Sequence, residues 1–320
     1  MLLISALFAL LSFTTLWARV EAAEIAIVKS ADLRYYDDAI MGFKAGLPPM
    51  TKVKEYNIEG QLARGREIGK FLRASPPDLI FAVGLKAAIS AKLEIFDTPV
   101  VFCMVLNPDA YDLPTSNMTG IAARTSPEAQ LAALRSLMPD RQRVGVLYDK
   151  EKTGAFIQDA LNAARQQGLD LVPLAVRSQE GVAHALRGLL PKIDVLWLIQ
   201  DQVVVSESTI PVFLESSLKA KVPTFTFSST LVQQGAVGAL VLDPWAVGRQ
   251  AASLSLTRLK NTDALAGTLV APERLQWALN LKSAEHFNIR LNPELIRLAG
   301  QVFSGSGPIA HARDSSALVP

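Results

Sequence analysis

RVGVLYD, residues 143–149, reads as the opening strand of something the chain has already written once. The first copy opens with EIAIVKS (24–30) and runs on through KVKEYNIEG (52–60), DLIFAVG (78–84), PVVFCMV (99–105) and MTGIAA (118–123). The second continues through DLVPLAV (170–176), DVLWLIQD (194–201), VPTFTFS (222–228) and AVGALVL (236–242). Partner runs lie roughly 120 residues apart, as an internal duplication requires. Some of the match extends to short segments. Pro76-Pro77-Asp78-Leu79-Ile80 answers to Pro191-Lys192-Ile193-Asp194-Val195, and Thr98-Pro99-Val100 to Val222-Pro223-Thr224. Short continuous β-branched runs are the pattern of parallel strands covered on both faces. Helix-like stretches fall between them; in 61–74, Leu62, Ile68, Phe71 and Leu72 roughly share a face. Two βαβαβ halves predict an α/β protein of two similar doubly wound parallel-sheet lobes.

Beyond Leu242 the pattern changes. Asp243-Pro244-Trp245 leads into a helical stretch over 247–260, with Ala251, Leu254 and Leu259 on its apolar face. A strand-like RLQWALNL (274–281) and a short helix near 283–287 follow, and residues 301–320 read as a loose tail. At the other end, LLISALFALLSFTTLW (2–17) is too short for a membrane span and suits the apolar core of a secretory signal. Small residues at Ala22 and Ala23 place the cleavage, so 1–23 is read as a signal peptide and the mature protein as periplasmic.

Composition excludes several classes. The chain has 320 residues, of which 50% are hydrophobic and 19% charged, with a net charge of +2. That is core-rich globular material without the basic excess of a nucleic-acid binder. A single cysteine, Cys103 in an apolar strand, permits neither an internal disulfide nor a cysteine-pair racemase. His184, His286 and His311 lie far apart, so no metal site is expected, and no cofactor. No Gly-x-Ser-x-Gly occurs in a strand–turn–helix setting. The chain is not read as an enzyme.

Open α/β sheets bind ligands at the carboxyl ends of their strands. In the first half those ends bring Ser30, Asp32 and Tyr35, then Gly84, Leu85 and Lys86, then Met104 and Asn107. In the second they bring Tyr148 and Asp149, then Asp201 and Gln202, then Ser228 and Ser229; Asp243 stands where the chain recrosses. A zwitterion suits such a set, with a carboxylate near Lys86 and helix N-termini, an ammonium facing Asp201 or Asp243, and tyrosines against a side chain. Ser30 and Asp32 serve equally as caps of the first helix, and Asp243 as a turn before a helix with Pro244 in its first turn.

The chain resembles the periplasmic substrate-binding proteins of ABC transporters, in the branch that includes tryptophan- and tyrosine-binding members. The resemblance covers about residues 24–300. It is carried by Thr98 to Phe102, Asn117 to Ile121, Ser126-Pro127 through Leu137-Met138-Pro139, Arg143 to Tyr148, Leu231 to Ala236, Asp243 to Ala252 and Asn280 to Ala284. It implies a type I periplasmic-binding fold, hinged near 122–125, 243–245 and 270–273. One lobe would take 24–122 plus about 244–270, the other 123–243 plus about 271–300. It also implies a small-molecule ligand, an amino acid or related solute, delivered to an ABC permease in the inner membrane. The same fold serves ligand sensors that feed a membrane receptor. Many relatives have Gly-Thr where this chain has Gly84-Leu85-Lys86, and Thr-Asp-Pro where it has Leu106-Asn107-Pro108. The exchange points to a more anionic ligand.

Overall fold

The computed structural model describes residues 23–304. The expected signal peptide, all but Ala23, and the expected tail beyond Ser304 lie outside the described residues. Every strand of the duplicated pattern forms. The first half contains β1 (Glu24–Lys29), β2 (Lys52–Asn57), β3 (Leu79–Val83), β4 (Val100–Val105) and β5 (Met118–Ala122). The second contains β6 (Arg143–Tyr148), β7 (Asp170–Ala175), β8 (Val195–Trp197), β9 (Thr224–Thr226) and β10 (Gly238–Leu242). They assemble in the same order, β2-β1-β3-β4-β5 in one sheet and β7-β6-β8-β9-β10 in the other.

The later strands extend both sheets. β11 (Thr268–Val270) pairs parallel to β5 and makes the first sheet six-stranded. β12 (Leu275–Asn280) runs antiparallel to β10, and β13 (Gln301–Phe303) parallel to β12, so the second sheet has seven strands and is not wholly parallel. Residues 301–303 are therefore a strand and not the start of a loose tail. Their pairing to β12, which the sparse apolar pattern did not signal, supplies the order.

The central strands of both sheets are buried on both faces, and alternate residues serve different layers. Ile25, Ile27, Phe81 and Val83 face α1 (Arg34–Ala45) and α9 (Pro244–Lys260). Ala26, Val28, Ile80 and Ala82 face α2 (Leu62–Ala74) and α3 (Leu85–Glu94). In the second half, Val144, Val146, Val195 and Trp197 meet α4 (Pro127–Leu137) and α5 (Lys150–Gln166). Leu147, Leu196 and Leu198 meet α6 (Gln179–Leu189), α7 (Ile210–Lys219) and α8 (Ser229–Gln233). Two short helices, α10 (Leu281–His286) and α11 (Pro293–Leu298), lie between β12 and β13 in sequence and pack beside the second sheet.

One stitch recurs in both halves. Asp78, just before β3, accepts the Glu24 N–H at 2.7 Å and donates its own N–H to the Glu24 carbonyl at 2.9 Å. Asp194, just before β8, accepts the Arg143 N–H at 2.9 Å and donates to the Arg143 carbonyl at 2.8 Å. The aspartates that immediately precede β3 and β8 thus tie the third strand of each half to its first. Asp194 also takes the Arg143 guanidinium at 2.8 Å, and that pairing holds its carboxyl down at about 2.

The long helix that follows β10 packs on α1 unusually closely. A Cβ on Gly248 would collide with the Ala39 carbonyl, and one on Gly42 with the Trp245 carbonyl. Small residues four apart on both helices, Gly42 and Gly46 against Gly248 and Ala252, let the backbones touch. The chain passes between the sheets at 123–126, at Asp243 and at 271–274.

Gly248→Ala should destabilise the protein by about 1–3 kcal/mol in urea unfolding, because a buried backbone must move to admit the methyl. Gly188→Ala, in α6 with open space around it, should stabilise by roughly 0.5–1 kcal/mol. Equal responses would remove the close helix contact as a determinant. Asp194 gives a pH signature. Its folded pKa lies below the unfolded value, so its contribution is complete above about pH 4 and disappears as pH falls through about 2. The gap in melting temperature between the parent and Asp194→Asn should narrow between pH 5 and pH 2.

Candidate functional site

In a 2-1-3-4-5 strand order, the topological switch lies between the first and third strands. The ends of β1 and β3 meet there in one half, and those of β6 and β8 in the other. In the first half the switch is sealed. Ser30 is buried, and its Oγ accepts the Ala87 N–H at 2.9 Å. It caps α3 from a neighbouring strand because Gly84, at that helix's N-cap, has no side chain. Gly84 sits at φ 88°, and a Cβ on it would overlap the Tyr36 hydroxyl and Ser30 Oγ. Burial pushes the Tyr36 phenol well above its ordinary range. Lys86 turns away and donates its Nζ to the Gly60 carbonyl at 2.7 Å.

The second half is open at the equivalent place. Where β3 runs straight into α3, β8 runs into a loop that reaches α7 only at Ile210. Asp201 organises this loop. It is 3% exposed. Oδ1 accepts the N–H groups of Val203 and Val204 at 2.9 and 3.0 Å. Oδ2 accepts the Asp149 N–H at 2.7 Å and the Thr153 hydroxyl at 2.5 Å. Thr209 closes the far end of the loop. Its Oγ1 accepts from the Ser206 N–H at 2.9 Å and donates to the Val204 carbonyl at 2.7 Å.

Over this loop lies a cavity of about 340 Å³, within the size range of small-molecule sites. The first half contributes Leu106 and Asn107. The segment between the sheets contributes Arg124. The second half contributes Gln179, Gln200, Asp201 and Gln202, then Ser206 and Glu207. Val205, Ile210, Phe227 and Leu231 form apolar wall. Two other concavities, around Gln234 and His286 and around Pro139 and Arg290, draw only on the second half.

Arg124 is the cation of the cavity. Its guanidinium lies over the Phe156 ring at 5.1 Å, and Nη2 donates to the Gln200 carbonyl at 3.1 Å. Burial lowers its pKa while the nearby Asp201 charge acts the other way. The neighbouring residues brace it. Phe156 packs on Trp197, Trp197 Nε1 donates to Gln130 Oε1 at 3.0 Å, and Gln130 Nε2 donates to the Thr125 carbonyl at 2.9 Å.

The chain matches the model of the ABC transporter substrate binding protein family over residues 36–303. It belongs to that family. A curated relative, the tyrosine-binding protein of Clostridioides difficile (strain R20291), is 24% identical over 227 residues. That match covers 68% of this chain and 65% of the relative's own length. Among solved structures, a ligand-free, open substrate-binding protein with adhesive properties from Clostridium difficile aligns with a TM-score of 0.75. Identity there is 19%, over 89% of this chain and 100% of the other. A domain in complex with L-Trp from Streptococcus pneumonia aligns at 0.60 and 21% identity, over 88% and 100%. The shared fold is the two-lobed type I periplasmic-binding fold, and the two sheets are the two lobes.

Of the strand-end residues expected at the site of this substrate-binding protein, Asn107, Asp201 and Gln202 line the cavity. The others have different surroundings. Asp32 does not cap α1; it pairs with Lys29 at 2.7 Å, and that contact lowers its pKa. Tyr35 is 38% exposed and edge-on to Tyr36. Leu85 is half-buried and packs against the α2–α3 core. Met104, at φ 58°, packs under α1 and α9 where β4 loses register. Tyr148 lies against the α4–α5 layer. Asp149 caps α5 through the Glu151 and Lys152 N–H groups at 2.9 Å. Ser228 and Ser229 begin α8 beside Phe227, outside the lining. Asp243 caps α9 through the Ala246 N–H at 3.1 Å.

Arg124, Phe227 and the residues after Gln202 were not foreseen. Arg124 lies two residues past the end of β5, so the strand-end rule reaches it if extended to that strand; Phe227 directly follows β9, just before the serines the rule picked there. Ser206 and Ile210 depend on a loop path that no local pattern announces.

Asp201→Ala should destabilise the protein by about 2 kcal/mol or more in denaturant, since buried donors on two segments lose their acceptor together. Hydrogen exchange should rise at Val203 and Val204. Unchanged stability would strip Asp201 of its organising role.

Proposed function

We propose that the chain is the solute-capturing subunit of an ABC importer, exported by its N-terminal signal to the periplasm. It holds a small polar or zwitterionic solute, an amino acid or related compound, between its lobes and hands it to a permease in the inner membrane. The first lobe takes 24–122 and about 244–270, the second 123–243 and about 271–300. The crossings at 123–126, 243 and 271–274 act as the hinge. The observation that carries this reading is the cavity itself. It lies at strand carboxyl ends and draws on the first half, a crossing segment and the second half together. A site so divided is completed when the halves approach, which is how a hinged binder senses occupancy. Ligand binding selects the closed arrangement, and a closed surface is what a permease can distinguish. The protein performs no chemical step on its solute.

The relatives support the ligand class by what they are named for, tyrosine in one case and L-Trp in another. In a thermal-shift screen of amino acids, small organic acids, nucleosides and sugars, one class should raise the melting temperature by several degrees. Ligand at 100 times its Kd adds about 2.7 kcal/mol. If nothing in the screen moves the transition and native mass spectrometry finds no retained solute, the reading fails.

A further inference from the structure

Two side chains of opposite charge lie close together in the inter-lobe cavity, and only one has bonding capacity left. Each oxygen of Asp201 already accepts two hydrogen bonds from its own lobe. That is the full complement of a carboxylate. Arg124 has five N–H donors, and among the described residues it makes one hydrogen bond, to the Gln200 carbonyl. Phe156 occupies a face of the guanidinium. The N–H groups project from its edge, the geometry that receives a planar carboxylate in two parallel hydrogen bonds.

We propose that Arg124 anchors a carboxylate of the captured solute, so that the cleft selects singly charged or zwitterionic carboxylates bearing an apolar side chain. This rests on the cavity being the solute site. The rest of the lining sets the limits on charge and shape. Gln179 Oε1 is engaged by the Ser206 and Ser208 hydroxyls, and Asn107 and Gln202 are neutral. Asp201 and Glu207 add negative charge to the same cavity, which disfavours a phosphate or dicarboxylate. Phe227, Leu231 and Leu106 give the remainder of the solute an apolar surface. Lys86, the cation expected from the sequence, is committed to the Gly60 carbonyl and does not line the cavity. An anionic preference is therefore retained, on a different residue. Burial already weakens the hold of Arg124 on its proton, and an arriving carboxylate would offset that desolvation.

The test compares matched acids and amides by calorimetry on the purified protein: L-tryptophan, L-tyrosine, L-leucine and 3-phenylpropanoate, each against its primary amide. At least one acid should bind, and its amide at least about 30-fold more weakly, the loss expected when a buried charge pair loses a partner. Arg124→Gln should weaken the acid by a similar factor and leave the amide nearly unchanged, and Arg124→Lys should recover part of the loss. An amide that binds within about threefold of its acid overturns the anchor and leaves solute binding intact. So does binding of a sugar or nucleoside with none of the acids. If Arg124→Gln does not fold, the acid and amide pairs on the parent protein still decide. Failure of every solute in the broader screen overturns the function itself.

Discussion

A carboxylate taken out of water without partners is one of the least tolerable groups in a protein interior. Asp201 is buried deeply, and the second lobe is arranged to make that acceptable. Its four hydrogen bonds come from three directions: the loop after β8, the end of β6 and the first turn of α5. Remove the carboxylate and the loop has no reason to follow its present path. The Ser206, Thr209 and Val204 contacts that finish the loop depend on its starting correctly. So does the cavity, whose floor this loop supplies. The first lobe has the same strand order but solves the same position with a glycine and a borrowed serine cap, and no comparable loop forms there. One topology thus yields a closed end and an open one.

The crossing segments are not equally free. The first, with Arg124 and Thr125, is fixed to the second lobe through Phe156, Trp197 and Gln130. The other two are held from the first lobe. Asp243 caps α9, and Gln250 on that helix bonds the Ala271 carbonyl at 2.8 Å and the Glu273 N–H at 3.0 Å. Because α9 is pressed against α1 at Gly42 and Gly248, those two crossings inherit the rigidity of the first lobe. The closure proposed above then concentrates in a few backbone torsions beside these anchors. In that proposed closure Arg124 would move with the second lobe, towards Leu106 and Asn107.

Much of the architecture was legible because strands buried on both faces leave continuous apolar runs. The duplication made each run a check on its partner, down to Asp78 and Asp194. Strand β13 was missed because three residues at an edge carry too little pattern to stand out. The site was less legible. The strand-end rule names positions, and many such positions are occupied by groups whose hydrogen bonds are internal. Ser30, Asp149 and Asp243 are caps, and Asp201, read as the partner of an ammonium, holds backbone amides instead. Sequence shows that a polar residue stands at a strand end. It does not show whether a neighbouring helix has already claimed it. Arg124 shows the converse, a residue between Ala123 and Thr125 whose importance appears only when Phe156 and Gln200 are brought to it from distant segments.

The order in which the chain builds its lobes has a consequence for biogenesis. β11 completes the first sheet and α9 covers one of its faces, yet both follow the whole of the repeated part of the second in sequence. A nascent chain emerging amino end first cannot finish its leading half until the roughly 120 residues between β5 and α9 have also been made. Until then the face of β1 and β3 that α9 will cover stays bare and sticky. An unfinished polypeptide of this design is poorly suited to waiting unaided.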